Sequence, residues 1–152
     1  MVIVADSILE QPIVTYGDRL VLGDQSGALY CFSSDGPLVW TPAKDLGSTP
    51  LSPLALTDGP ARLLVATRNG TLYALADDGT TLWSGPVATG TTFRGSNISF
   101  PSAESPVTST AYLSAANGKV YAVAVDGTLD TAAPWPKAFH DRRNTSNAGA
   151  AP

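Results

Sequence analysis

The sequence predicts an all-β fold of stacked four-stranded antiparallel sheets, and a threefold internal repeat is the main reason. The stretches 26–40, 69–83 and 117–131 each carry a glycine, a tyrosine three residues later, and an Asp-Gly pair that starts eight residues after that glycine. The first glycines of the copies lie 43 and then 48 residues apart. Repetition on this scale is typical of architectures in which each repeat buries the apolar face of its neighbour. The corresponding positions are Gly27, Gly70 and Gly118, then Tyr30, Tyr73 and Tyr121.

Each copy contains two turn sequences that divide it into short strands. Asn69-Gly70 and Asn117-Gly118 are favoured sequences for a type I′ turn, in which both residues adopt positive φ. Asp-Gly supplies the second turn of each copy. Between the two turns lie seven residues of strand length, such as TLYALAD at 71–77. With the apolar segments before and after these turns, each copy is predicted to form a four-stranded antiparallel meander.

The strands of the central repeat are apolar on both faces. Side chains alternate along a strand, so Leu72 and Ala74 share one face while Tyr73 and Leu75 share the other. An antiparallel sheet with one face in water would alternate apolar and polar residues instead. We therefore expect each sheet to be covered by its neighbours, as in a β-propeller. A β-sandwich is the rival fold, but it gives no reason for the turns to recur in register.

The repeat divides the chain into consecutive segments. A propeller closes with about four to eight blades, so three blades predict a larger ring, completed either by more of the polypeptide or by other copies. Stacked in an arc, three blades leave two terminal faces uncovered. We expect, in order, the end of a preceding blade or an N-terminal strand at 1–10, blade 1 at 11–49, blade 2 at 50–103 with an insertion loop at 84–104, blade 3 at 104–133, and a closing segment or tail at 134–152.

Composition argues against several classes of function. The net charge is −4 and only 14% of residues are charged, which is unlike a nucleic-acid-binding protein with its basic patch. No apolar run approaches the roughly 20 residues of a membrane-spanning helix, and the first residues do not resemble a signal peptide. Cys31 is the only cysteine, which excludes an internal disulfide and a multi-cysteine metal site. Because its neighbours are Tyr30 and Phe32, we expect a buried thiol.

Residues that carry chemistry are scarce. His140 is the only histidine, which excludes a zinc site built from several histidines. The stretch Asp77-Asp78-Gly79 resembles part of a calcium loop, but it lacks the alternating acidic ligands and the distant glutamate. The Asp-Gly pair of a turn is sufficient to explain this stretch. We therefore predict no catalytic, cofactor-binding or metal-binding residue.

The candidate binding residues are Phe93, Arg94 and Asn97. They lie in the polar, glycine-rich segment that makes the second repeat period longer than the first. Binding residues concentrate in loops held on a rigid scaffold. The alternative is a loop with no role in binding.

The best-preserved copy, ARLLVATRNGTLYALADDGTTLW at 61–83, resembles the blade repeat of the pyrroloquinoline-quinone-like (PQQ-like) propeller family. The first copy also ends in a tryptophan, Trp40, whereas the third has Thr131 at that position. The resemblance extends over residues 10–149, because PWPKAFHDRRNTSNAG at 134–149 resembles a segment that flanks such propellers. The matching residues of the second copy are Ser52, Pro53, Asn69, Gly70, Leu72, Tyr73, Ala74, Leu75, Gly79 and Trp83.

The resemblance implies a non-catalytic binding or scaffolding module of an exported or cell-envelope bacterial protein, in the periplasm, on the cell surface or outside the cell. Its expected partners are proteins or further propeller blades, with no nucleic acid, no membrane insertion and no cofactor. The resemblance also implies that Trp40 and Trp83 join adjacent blades. A homo-oligomer that completes the ring is one form that such an assembly takes.

Two alternatives remain open from the sequence. The first is a segment of a quinoprotein dehydrogenase, since the family includes such enzymes. They need the quinone, a calcium ion held by Glu, Asn and Asp, and a catalytic Asp, and many carry a vicinal disulfide that Cys31 alone cannot form. The second is a lectin-like propeller with shallow carbohydrate sites between its blades.

Overall fold

The computed structural model describes residues 7–9, 12–99 and 108–134. In these residues the chain forms twelve β-strands and no helix, and the strands assemble into three antiparallel sheets. The all-β prediction is therefore confirmed. Most of the expected N-terminal segment at 1–10 and all but residue 134 of the expected closing segment at 134–152 lie outside the described residues, as does His140.

The first sheet has the strand order β1-β2-β3-β4. Its central pair, β2 and β3, is in register from Arg19 opposite Ser33 to Gly23 opposite Leu29. The predicted last strand at 37–40 forms only a single bridge, between Phe32 and Leu38. Pro37, at the start of this stretch, lacks the N–H that a ladder needs, and the fourth strand forms later in the chain. The strands are β1 (Val14–Tyr16), β2 (Arg19–Gly23), β3 (Ala28–Ser33) and β4 (Lys44–Asp45).

The second sheet contains the best-preserved repeat as a four-stranded meander. A fifth, short strand from the end of the third repeat pairs with its first strand, through Thr128 opposite Thr57 and Leu129 opposite Leu56. The order is therefore β12-β5-β6-β7-β8. The strands are β5 (Pro50–Thr57), β6 (Leu63–Thr67), β7 (Thr71–Leu75), β8 (Thr81–Pro86) and β12 (Thr128–Leu129).

The third sheet differs from the sequence prediction in two ways. The segment 84–104, expected to be an insertion loop, instead contains the end of β8 and the first strand of this sheet. The fourth strand expected after the last Asp-Gly turn belongs to the second sheet, where Leu129 is buried. The third sheet thus has three described strands in the order β11-β10-β9. They are β9 (Phe93–Ser99), β10 (Thr108–Ala115) and β11 (Val120–Asp126).

The hairpin glycines have the predicted backbone sign but form a different turn. Gly70 and Gly118 have φ of +89° and +77°. Asn69 does not have positive φ, because Asp58 is the only such non-glycine among the described residues. The Gly70 N–H donates to the Thr67 carbonyl at 3.0 Å, which marks a type I turn followed by a left-handed glycine. The type I′ prediction was therefore wrong, although its requirement for glycine was correct.

The second sheet lies between the other two and is buried on both faces. Along β6, Leu63 and Val65 contact the first sheet, while Leu64 and Ala66 contact the third. All four side chains are at most 2% exposed. Tyr73 is half-buried on the side of the first sheet, and its hydroxyl donates to the Leu46 carbonyl at 2.9 Å. The expectation that this sheet is covered on both faces is confirmed.

Trp40 joins the first sheet to the second. Its indole Nε1 donates to the Asp77 carbonyl at 3.0 Å, and its ring lies against Gly79, where an added Cβ would be 2.9 Å from Cδ2. Arg19 donates to the same carbonyl and pairs with the Asp77 carboxylate, both at 2.8 Å. Trp83 is half-buried and packs against the core between the second and third sheets. Both tryptophans therefore occupy the inter-sheet positions expected of them.

Candidate binding pocket and exposed sheet face

The three residues predicted to bind a partner all belong to β9. Phe93 is 3% exposed and packs in the core between the second and third sheets, where its ring meets Tyr121 edge to face at 6.2 Å. Arg94 is exposed to solvent. Asn97 lies further along the strand, and its side chain is outside the described part of the structure. Phe93 thus anchors the strand, and Arg94 is the member of the three that faces solvent.

A pocket of about 340 Å³ opens where the second and third sheets meet. Its walls come from the start of β5, the end of β6 and the start of β9. The N–H of Phe93 donates to the Arg68 carbonyl at 3.1 Å, which fixes the start of β9 beside the end of β6. This volume is within the range of pockets that hold small ligands or single side chains of a partner. The lining residues are Leu51, Arg68, Thr92, Phe93 and Arg94.

The pocket combines two cationic side chains with an apolar wall. Arg68 and Arg94 are both exposed, and neither guanidinium has a hydrogen bond or ion pair with any other residue in the part of the chain that the structure describes. In contrast, Arg19 is committed to Asp77. Sequence reasoning found Arg94 but missed Arg68, because only the packing of β9 beside the end of β6 brings the two together.

The third sheet presents an apolar outer face to solvent. Tyr112 is 39% exposed and Val120 is 66% exposed, and both Ala122 and Ala124 are exposed as well. The register places Tyr112 opposite Ala122, so these side chains share one face. β11 is also an edge strand among the described strands, so one side of its backbone has no ladder partner there.

The outer face of the first sheet is not bare, contrary to the expectation of two uncovered ends. Leu22, Tyr30 and Phe32 are each at most 7% exposed, and the rings of Tyr30 and Phe32 stack at 6.2 Å. Leu38 and Ala43, from the segment between β3 and β4, pack against them. The segment that failed to form the predicted strand therefore covers this face.

Asp24 is a buried carboxylate that sequence reasoning did not single out. It is fully buried at the turn between β2 and β3. Burial alone would raise its pKa, but hydrogen bonds outweigh that effect and hold the pKa below the ordinary value of 3.8. The donors are the Ser26 hydroxyl at 2.6 Å, the Tyr30 hydroxyl at 3.0 Å, and the backbone N–H groups of Ser26, Gly27 and Ala28. Asp24 therefore stabilises the turn between β2 and β3, and we assign it no role in binding a ligand.

We expect Asp24→Ala to lower the free energy of unfolding at neutral pH by about 2 kcal/mol, because the hydrogen-bond donors around the buried carboxylate would lose their charged acceptor. A carboxyl with a depressed folded-state pKa stabilises the fold above its ordinary pKa of 3.8, and that contribution is lost as the pH falls through the folded value. Urea unfolding between pH 7 and pH 3 should therefore show a weaker pH dependence in the variant. Asp35→Ala, at an exposed turn, is the control, and equal losses from both substitutions would contradict the assignment.

Cys31 is a buried thiol, as expected. It is inaccessible to solvent, and burial raises the pKa of the thiol. Its sulfur lies 3.9 Å from the hydroxyl of Tyr16, whose pKa is also raised, chiefly by burial. A thiol held protonated in the core between two sheets has a packing role.

The calcium-like stretch acts as a turn. Asp78 accepts the Thr80 N–H at 2.8 Å, and the Asp77 carboxylate is paired with Arg19. Across the described ranges, no group of three or more His, Cys, Asp or Glu side chains is placed to hold a metal ion.

No helix long and apolar enough to cross a membrane occurs in the described residues.

Comparison with known proteins identifies one matching family and similar solved folds. The family model described as "Outer membrane protein assembly factor BamB" matches residues 5–147. The crystal structure of BamB from Moraxella catarrhalis is 24% identical with a TM-score of 0.56, over 86% of this chain and 37% of that one. BBS1N in complex with ARL6DN is 18% identical with a TM-score of 0.57, over 82% of this chain and 37% of that one. No curated protein matches the sequence.

These two likenesses concern the fold. The chain spans 37% of the length of each of the two solved chains. The three sheets described above therefore correspond to part of a longer chain in both cases.

Proposed function

This chain belongs to the family of the outer membrane protein assembly factor BamB, and we propose that it is a non-catalytic β-propeller module that binds other proteins. The family match supports a place in the bacterial cell envelope or outside the cell, because its description names an assembly factor of the outer membrane. The solved BBS1N chain with a similar fold is in complex with ARL6DN, which is in keeping with a binding role for this fold.

The uncovered face of the third sheet is the observation that carries this proposal. Tyr112, Val120 and two alanines group exposed apolar side chains on this face, between Thr110 and Ser114, and such a group is typical of an interaction site. The opposite face of the same sheet covers the second sheet through Ala111, Leu113 and Val125. The occupant that fits best is therefore a blade of the same repeat on a second copy of the chain, because it would present a matching sheet face. Because β11 is an edge strand among the described strands, it also offers that occupant backbone donors and acceptors.

Photo-crosslinking from this face tests the proposal. Benzoylphenylalanine placed at Tyr112 should give discrete protein adducts when the chain is expressed in its host cell. The same probe at Asp35, on an exposed turn of the first sheet, is the control and should give none of those adducts. The absence of adducts from Tyr112, or identical adducts from both positions, would contradict a protein-binding role for the face.

A further inference from the structure

We propose that the pocket between the second and third sheets binds carboxylate side chains on an acidic segment of a protein partner. This inference rests on the proposed protein-binding function and names a second contact surface for it. Arg68 enters the pocket from the end of β6, and Arg94 enters from the start of β9. The site therefore exists only when the two sheets are packed together.

The donors of the pocket match an oxyanion. Each guanidinium offers several N–H donors in a planar fork that fits a carboxylate bidentately. Neither the Arg68 nor the Arg94 guanidinium has an acceptor among the residues that the structure describes, so these side-chain donors are free for a ligand there. The chain as a whole carries a net charge of −4, whereas the two arginines make the lining of this pocket positively charged.

The size of the pocket favours a peptide over a free ion. Leu51 and Phe93 close its base beside the two arginines, and both side chains are nearly fully buried. The open part of the pocket is therefore formed chiefly by the arginines and Thr92, and it has room for an Asp or Glu side chain whose carboxylate meets the guanidinium groups. The volume of about 340 Å³ also exceeds what one small anion needs.

Fluorescence anisotropy with the 152-residue chain tests this pocket. The probe is a fluorescein-labelled Gly-Ser peptide that contains a run of glutamates, and the reference probe has glutamine at each of those positions. We expect only the acidic probe to bind, and its affinity should fall about tenfold in Arg68→Gln and in Arg94→Gln. Arg62→Gln is the matched control, because Arg62 is exposed just before β6, at the end of the strand opposite Arg68. Its affinity should be unchanged.

Three results would overturn the proposal. They are equal binding of the two probes, wild-type affinity in both pocket variants, and displacement of the acidic probe by inorganic phosphate or succinate at concentrations no higher than those of the unlabelled acidic peptide. The last result would assign the pocket to small anions instead. The unfolding midpoints of the variants should match the wild type, because both arginines are exposed. Crosslinking from Tyr112 that persists while the peptide test fails would leave the proposed function standing without this pocket.

Discussion

Leu63→Ala and Leu64→Ala will each lower the free energy of unfolding by about 2–5 kcal/mol, the usual cost of removing a fully buried leucine side chain. The two residues are neighbours on β6, so their side chains point to opposite faces of the second sheet. Both are fully buried, Leu63 against the first sheet and Leu64 against the third. A sheet that faced water on one side would show one large and one small effect. Equilibrium denaturation in urea, followed by tryptophan fluorescence, measures both.

The matched control is Tyr112→Ser on the exposed face of the third sheet, which should cost less than either leucine substitution, because Tyr112 is partly exposed. A loss below about 1 kcal/mol for Leu63→Ala or for Leu64→Ala would show that the sheet is not covered on that side. That result would contradict the stacked arrangement.

Gly70→Ala will destabilise the chain far more than Gly118→Ala, although the two glycines occupy the same position in their repeats. Both have positive φ, so an alanine at either position costs about 1–2 kcal/mol in backbone strain. At Gly118 an added Cβ would meet nothing within 4 Å. At Gly70 it would overlap the carbonyl oxygen of Ala88, and the Gly70 carbonyl also accepts the N–H groups of Val87 and Ala88.

Displacing that segment should add about 1–3 kcal/mol to the cost at Gly70, because buried hydrogen bonds are disturbed. Thermal unfolding of the two variants side by side gives the difference directly. Equal shifts for both would mean that the segment after β8 does not pack on the turn of the second repeat.

The repeated part of the fold was predictable from sequence because its determinants are local. Positive φ at Gly70 and the two-sided burial of β6 both follow from residue types at fixed spacing. The exact turn type was not predictable in this way. Asn-Gly suits a type I′ turn, but here the Asn69 side chain accepts the Thr71 N–H at 3.3 Å and the Thr67 hydroxyl at 2.7 Å, within a three-residue turn.

The non-repeated part was predicted poorly because its structure depends on contacts between repeats. The polar stretch that forms β9 carries no apolar alternation, and its strand pairs with β10 through Ile98 opposite Leu113. β12 leaves its own repeat to pair with β5. The pocket was hard to predict for the same reason, since its second arginine, Arg68, belongs to a repeat turn and lies beside Arg94 only because the third sheet packs on the second.

Light scattering coupled to size exclusion, with an apolar-surface dye, tests most directly the claim that the three sheets form an open stack with one bare face. The exposed side chains of Tyr112 and Val120 predict that the isolated 152-residue chain either binds the dye or associates with further copies. A discrete even-numbered oligomer would indicate that copies complete one another's ring. A compact monomer of 15.7 kDa that binds no dye and unfolds cooperatively would contradict the open stack.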